Sequence, residues 1–440
     1  MGIAKRIEVG AAAAAVVAAL LACKGGANQN QKGVGDQPGG VALGLGDIAV
    51  APVGDYVLFK RGDELATGNL TTGAIDTLPV QKPSRLAFSK QRPFVYVGTE
   101  ATSEILAVDM EARKVGWRQG VPSAYTSVLR LMSSKDDRFV VSAQGQEVQV
   151  FDATSGAPKG SFAFEGALID VQVFPDSKRA LAVELHEWSG DAPSTRVTVL
   201  DLETSARRTL TVPNCADRVA ISADSKRALL APTTCQKDPV SVIDLSEGAE
   251  KFERNLPGFG PVALSPDGTT AVAFLDRDSI DLTLFDDPKL APTNAAERYH
   301  LMLIDTGNLS YEFVAAGDEL PRFAITPDGN VLLVDTAWTD DAARLLDVPS
   351  RTFKPIAGPK VRLDNFVLTK DSSHAFVLQG SVYDLDIGSA ISSMVGTSFT
   401  PKNINISADD KALFLRVDDD EICMFDLATR SCARSFVAVQ

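Results

Sequence analysis

Arg196–Ser205 reads RVTVLDLETS. Its opening residues alternate polar and apolar, and the run closes on Asp201. β-Branched residues suit a pleated surface, and Asp followed by Thr and Ser stabilises a tight turn through local hydrogen bonds. The stretch predicts a β-strand running into a hairpin. Close copies recur along the whole chain.

From Asp47 onward the pattern returns at a period of about 44 residues. Each unit has a strand, a short Pro/Asp/Gly/Ser turn, a second strand, a third strand ending in Asp, and a fourth after its turn. The first hairpin is clearest at Val262–Phe274, with Ser-Pro-Asp-Gly at 265–268, and at Phe323–Gly329 with Thr-Pro-Asp-Gly. Degraded versions occupy Val173–Ser177, Ile221–Ser225 and Ile406–Asp410. The Asp closing the third strand recurs at Asp109, Asp152, Asp201, Asp244, Asp305, Asp347, Asp384 and Asp426, with Asn69 in the first unit. No unit contains a convincing amphipathic helix.

Repeated four-stranded antiparallel units at this period predict an all-β chain folded as a β-propeller, one domain over 47–440. A single unit cannot bury both of its faces, but neighbours stacked in a ring can. Nine units are counted, with eight blades as the main alternative. An extended solenoid is disfavoured because no polar capping repeat is visible.

Pro83 to Val115, PSRLAFSKQRPFVYVGTEATSEILAVDMEARKV, together with the SPDG and TPDG turns, resembles the YVTN/WD40-like propeller repeats of bacterial surface and periplasmic proteins. More locally, Ala107-Val-Asp109 followed by Lys114-Val-Gly-Trp117 resembles the docking motif of quinoprotein-type propellers, which include an outer-membrane assembly lipoprotein. Ala112-Arg113 stand where that motif has Thr-Gly, and Gly160 replaces the tryptophan in the next unit. Trp117 therefore reads as a packed outer-strand aromatic.

The chain starts with a basic pair, Lys5-Arg6, and an apolar run from Val9 to Leu21, too short to span a bilayer. Residues 1–22 read as a signal peptide. Leu20-Leu21-Ala22-Cys23 resembles the bacterial lipobox, which implies lipidation of Cys23. Residues 23–46 read as a flexible tether rich in Gly, Asn and Gln. Lys24 in place of an inner-membrane retention Asp implies outer-membrane sorting. The remaining cysteines are even in number: Cys215 and Cys235 are placed about one turn, Cys423 and Cys432 about another. Two disulfides are expected in this exported setting.

The net charge is -14, and losing the leader, with two basic residues and one acidic, leaves -15. This argues against nucleic acid or an anionic membrane surface as partners. Membrane contact through the lipid anchor alone and a monomeric state are expected. No G-x-S-x-G, H-E-x-x-H or P-loop motif is present. His374 holds the place of Arg179, Arg227 and Lys411 in other units, an exposed strand start. His300 matches Glu104 and Glu421, and reads the same way.

Function is expected where the repeat is interrupted. The connections between second and third strands swell at Glu184–Arg196, Asp276–Arg298 and Asp335–Arg344, and an acidic run occupies 418–421. In a propeller they share one face, predicting an acidic, aromatic-studded rim with His186, Trp188, Asp191, Phe285, Trp338 and Asp340 as partner contacts. No cofactor is expected. Calcium at Asp276, Asp278 and Asp281 is the one candidate, although Ile280 breaks the EF-hand register.

The reading is a non-catalytic envelope lipoprotein that binds a protein, peptide or glycan. A lactonase-like propeller enzyme and an outer-membrane assembly scaffold are the alternatives.

Overall fold

The computed structural model describes residues 41–42, 48–100, 102–121, 130–184, 194–232, 238–265, 267–293, 295–336, 343–397, 399–418 and 421–437. They form nine antiparallel sheets, each built from four strands consecutive in the chain. The chain is a nine-bladed β-propeller. The blades span 48–81, 83–120, 130–163, 168–212, 218–256, 259–317, 321–355, 366–395 and 403–437, numbered 1 to 9 below. A short strand, Val41–Ala42, adds to the innermost strand of blade 2 in antiparallel register, Val41 opposite Leu86 and Ala42 opposite Arg85. Among the described residues no helix is long and apolar enough to cross a membrane.

The opening stretch is the third strand of blade 4, Thr195–Asp201, paired without a register shift to Arg179–Glu184. Val197, Thr198, Val199 and Leu200 are all buried. The alternation therefore separates one neighbouring blade from the other, rather than core from solvent. Val197 and Val199 pack with Ala228, Leu230 and Ile243 of blade 5, whereas Leu200 and Leu202 pack with Val148 and Val150 of blade 3. Burying such a side chain contributes roughly 2 kcal/mol, and each blade does so on both faces. Blade 9 meets blade 1 in the same way, through Phe414 and Ile422 against Val57 and Phe59, and Asn405 Nδ2 donates to the Ile48 carbonyl at 3.0 Å. Among the described residues no strand is shared across this junction.

The repeated Asp is turn architecture. Asp201 Oδ1 accepts from the amides of Glu203 at 2.9 Å and Thr204 at 2.7 Å. Burial raises its pKa, but these bonds outweigh that and hold the carboxyl below the usual range. Asp109, Asp152, Asp305 and Asp426 make equivalent bonds, as does Asn69. Blade 8 departs from the expected numbering. Its third strand runs Ser381–Asp386, and Asp386 accepts from Ser389 N at 2.8 Å, so Asp386 rather than Asp384 makes the turn. The sequence Tyr-Asp-Leu-Asp offers two carboxylates two apart on one face, and period-2 reading alone cannot choose between them.

The first turns interlock. In blades 3 to 9 each ends in a residue with positive φ: Asp137, Ser177, Ser225, Gly268, Gly329, Ser372 and Asp410. The side chain of this residue accepts a backbone N–H from the first turn of the preceding blade. Ser177 Oγ takes Asp136 N, Ser225 Oγ takes Asp176 N, and Ser372 Oγ takes Asp328 N, at 3.2, 3.0 and 2.9 Å. Asp137 accepts from Lys90 N at 2.9 Å and Gln91 N at 2.7 Å, and from Ser89 Oγ. Gly268 makes the contact by proximity: a Cβ there would lie 2.2 Å from Ala223 N of blade 5. The glycine of Ser-Pro-Asp-Gly thus serves the neighbouring blade as well as its own turn.

Gly62 provides the control, with φ +56 and nothing within 4 Å of a Cβ. Gly62→Ala should cost about 1 kcal/mol through backbone strain alone. Gly268→Ala should cost about 3 kcal/mol, because steric overlap with the adjacent backbone is added. Denaturant unfolding of the two variants checks the difference.

Candidate functional site

Among the described residues the largest connection between a second and a third strand is Asp276–Arg298 in blade 6. It is built from three one-turn 3₁₀ helices, Arg277–Ser279, Leu282–Leu284 and Pro288–Leu290. Its carboxylates are committed locally. Asp276, Asp281 and Asp287 accept from the amides of Asp278, Thr283 and Lys289 as N-caps. Asp276 is also paired with Arg298 at 2.7 Å, and Asp286 with Arg254 of blade 5 at 2.9 Å. The Asp276 carboxyl lies below its usual pKa: burial pushes it up, and hydrogen bonds from Arg298 and the Asp278 amide, with the charges of Arg298 and Arg277, together more than offset this. Among the described residues no group of three His, Cys, Asp or Glu side chains could hold a metal ion.

Phe285 does not face outward. It is 6% exposed and packs against Tyr311 and Phe313 of its own blade's outer strand, pinning the loop down. The apolar side chains this loop presents to solvent are Leu282, 45% exposed, and Leu290, 63% exposed. Period and composition single out the aromatic, but an aromatic in a capped loop is the residue that gains most from burial. His186, Trp188, Asp191, Trp338 and Asp340 lie outside the described residues, as do the leader, Cys23 and Cys235. Cys215 is disulfide-bonded. Cys423 and Cys432 form a disulfide, Cα atoms 5.8 Å apart.

His300, expected at an exposed strand end, is buried, whereas His374 stands at the strand start that its position in the repeat suggests. His300 is 3% exposed in the third strand of blade 6, and its Nδ1 has no hydrogen-bond partner. Burial lowers its pKa, since the imidazolium would be poorly solvated there. His374 lies on the opposite end of the ring, in a cleft of about 380 Å³ between blades 8 and 9. Its Nδ1 is 2.7 Å from Asp384 Oδ1, its ring stacks on Phe376, and Arg430 Nη2 approaches Asp384 Oδ2 at 3.7 Å. Asp384 is free to do this because Asp386 makes the turn. Asp371 is held down at about 2 by hydrogen bonds from Ser373 and Thr369.

A third polar grouping went unread in the sequence. Four residues before each first turn, the innermost strands carry Arg85, Arg130, Asp170, Arg218 and Arg322 at one register position. Arg130 pairs with Asp170 of the next blade at 3.0 Å, and Arg322 with Asp335 at 2.6 Å and Asp364 at 2.5 Å. These pairs tie blade 3 to blade 4 and blade 7 to the segment entering blade 8. Trp117 is buried against Tyr96 and Phe151, with Nε1 donating to Ala153 O of blade 3 at 3.2 Å, as a packed aromatic should.

No protein-family model matches the sequence, and no curated protein matches it. Among solved structures, the chain is similar to Kuenenia stuttgartiensis hydrazine synthase, with TM-score 0.40, 14% identity, and coverage of 85% of this chain and 99% of that one. It is also similar to the dihydro-heme d1 dehydrogenase NirN in complex with DHE, with TM-score 0.46 and 19% identity over 70% of this chain and 65% of that one. A functionally unknown protein from Desulfotomaculum acetoxidans gives 0.42 and 14% over 67% and 92%. These are likenesses of architecture. The class defined by the chain's own sheets is the nine-bladed propeller.

His300 sets a pH dependence. Its native pKa lies below the unfolded value of about 6.5, so the unfolded chain gains the proton first. Its contribution to stability is intact above that pH and declines as pH falls through it. His300→Gln should flatten the loss of Tm between about pH 7.5 and 5.5 relative to wild type. A variant with an unchanged slope would remove His300 as the cause.

Proposed function

We propose that this chain is a non-catalytic, lipid-anchored propeller of the bacterial cell envelope that binds a protein, peptide or glycan through its loop face. The observation that carries the reading is the blade 6 loop, where Leu282 and Leu290 are exposed on a segment held by three N-caps and a buried Phe285. Such a loop presents apolar side chains without the ordering cost of a floppy one. Anchoring rests on Leu20-Leu21-Ala22-Cys23 and the polar tether after it, and outer-membrane placement on Lys24. The YVTN/WD40-like pattern supports a surface or periplasmic setting. Trp188 and Trp338 belong to the same expected rim, with Leu282 and Leu290 taking the place of Phe285.

Photo-crosslinking in intact cells tests the assignment. A photoreactive residue at Leu290 or Trp338 should give discrete adducts, and one at Lys226, on the opposite face, none. Adducts at Lys226 alone would overturn the loop-face reading. Cys23→Ala should release the protein from the membrane fraction, and retention there would refute the anchor.

A further inference from the structure

The cleft between blades 8 and 9 has counterparts that an arginine of the earlier blade fills at two junctions. At the start of the second strand of blade 4, Arg179 crosses to blade 5 and donates from Nη1 to the Leu245 carbonyl at 2.6 Å. Arg227 of blade 5 does the same to blade 6, donating to the carbonyls of Thr306 and Gly307. Leu245 and Thr306 each follow the turn Asp of their third strand. Between blades 2 and 3 the corresponding carbonyl, Ala153 O, takes donors from Arg92, Tyr96 and Trp117. In blade 8 the same strand position is His374, which turns to Asp384 of its own blade. The corresponding carbonyl in blade 9 is Leu427 O, and among the described residues nothing donates to it.

A second observation points to a missing donor in the same place. Asp410 is the interlocking residue of blade 9, equivalent to Asp137 of blade 3. Asp137 uses both carboxylate oxygens, one on Lys90 N and the other on Gln91 N. Asp410 uses Oδ2 on Lys370 N at 2.7 Å, whereas its Oδ1 is buried and has no hydrogen-bond partner. A buried carboxylate oxygen without a donor is costly, and a cation is the species that repairs it. Around it stand Asp384, Leu427 and the apolar walls of Phe376 and Phe425. Asp371, Asp384 and Asp410 outnumber the one permanent cation in the cleft, Arg430, which is 60% exposed.

The geometry points to a guanidinium-binding socket here, one that receives from a ligand the group Arg179 and Arg227 supply from within the chain. A guanidinium is planar and carries five donors, enough to meet the carboxylates of Asp384 and Asp410 from one flat group between aromatic walls. The group is supplied by a free guanidino compound or by an arginine side chain of a peptide. The inference does not rest on the loop-face reading, since the socket lies at the other end of the ring.

The test is titration of the full-length protein with agmatine and with an arginine-containing tripeptide amide, followed by calorimetry. Saturable one-to-one binding is expected. A tighter tripeptide identifies a peptide arginine as the ligand, and equal or tighter agmatine a small guanidino compound. Asp410→Asn should weaken binding about tenfold, the loss of one charge-assisted hydrogen bond. Arg430→Ala should tighten it by removing a like charge. The decisive variant is His374→Arg, which puts the missing guanidinium on the strand itself. It should raise Tm and abolish binding, so loss of binding cannot be mistaken for unfolding. The socket is refuted if neither ligand saturates, if His374→Arg binds as wild type does, or if n-butylamine binds as tightly as agmatine.

Discussion

The ring depends on a first-turn contact that belongs to neither blade alone. At each junction from blades 2 and 3 to blades 8 and 9, the last residue of one first turn enters the left-handed region and reaches the first turn of the blade before it. Ser177, Ser225 and Ser372 do so with a hydroxyl, Asp137 and Asp410 with a carboxylate, and Gly268 and Gly329 by close approach of the backbone. The left-handed φ costs about 1 kcal/mol in a residue other than glycine, and the contact across the junction offsets it. Burial of the strands on both faces supplies most of the cohesion. The interlock links the first turns of consecutive blades at seven junctions.

The junction between blades 9 and 1 is different. Blade 1 offers Gly54, whose nearest neighbours outside its own turn are on blade 2. Asn405 and the Phe414 cluster hold the ring shut there. A propeller without a shared closing strand relies on such packing, and the cost of opening is concentrated at one place.

Much of this was legible in the chain itself. RVTVLDLETS and its copies carry the strand, the turn and the period, and these are enough for an all-β propeller with nine units. The function of the turn glycine was only half readable: positive φ follows from Asp-Gly, but its fit against Ala223 requires the neighbouring blade. Asp384 and Asp386 could not be told apart because both lie on one face of the strand, and the difference decides whether His374 has a partner. His374 was matched correctly with Arg179 and Arg227, yet what those arginines do is visible only across a junction. Phe285 was singled out as an aromatic in an acidic loop, whereas its contacts with Tyr311 and Phe313 come from a strand more than 20 residues on. Local chemistry was readable. Contacts between repeats were not, because a repeat pattern is silent about where the repeat is broken in space.

Two places where the pattern breaks carry the functional account: an extended, capped loop at one end of the ring, and an unfilled wedge at the other. Both stand on a scaffold whose central claim is the interlock. Native-state hydrogen exchange on the intact protein tests it most directly. The amides of Asp136, Asp176, Asp328 and Lys370, each donated across a junction, should exchange only with global unfolding, whereas peptides flanking the junction of blades 9 and 1 exchange first by local opening. Exchange of those four amides at the rate of exposed loop amides would contradict the account.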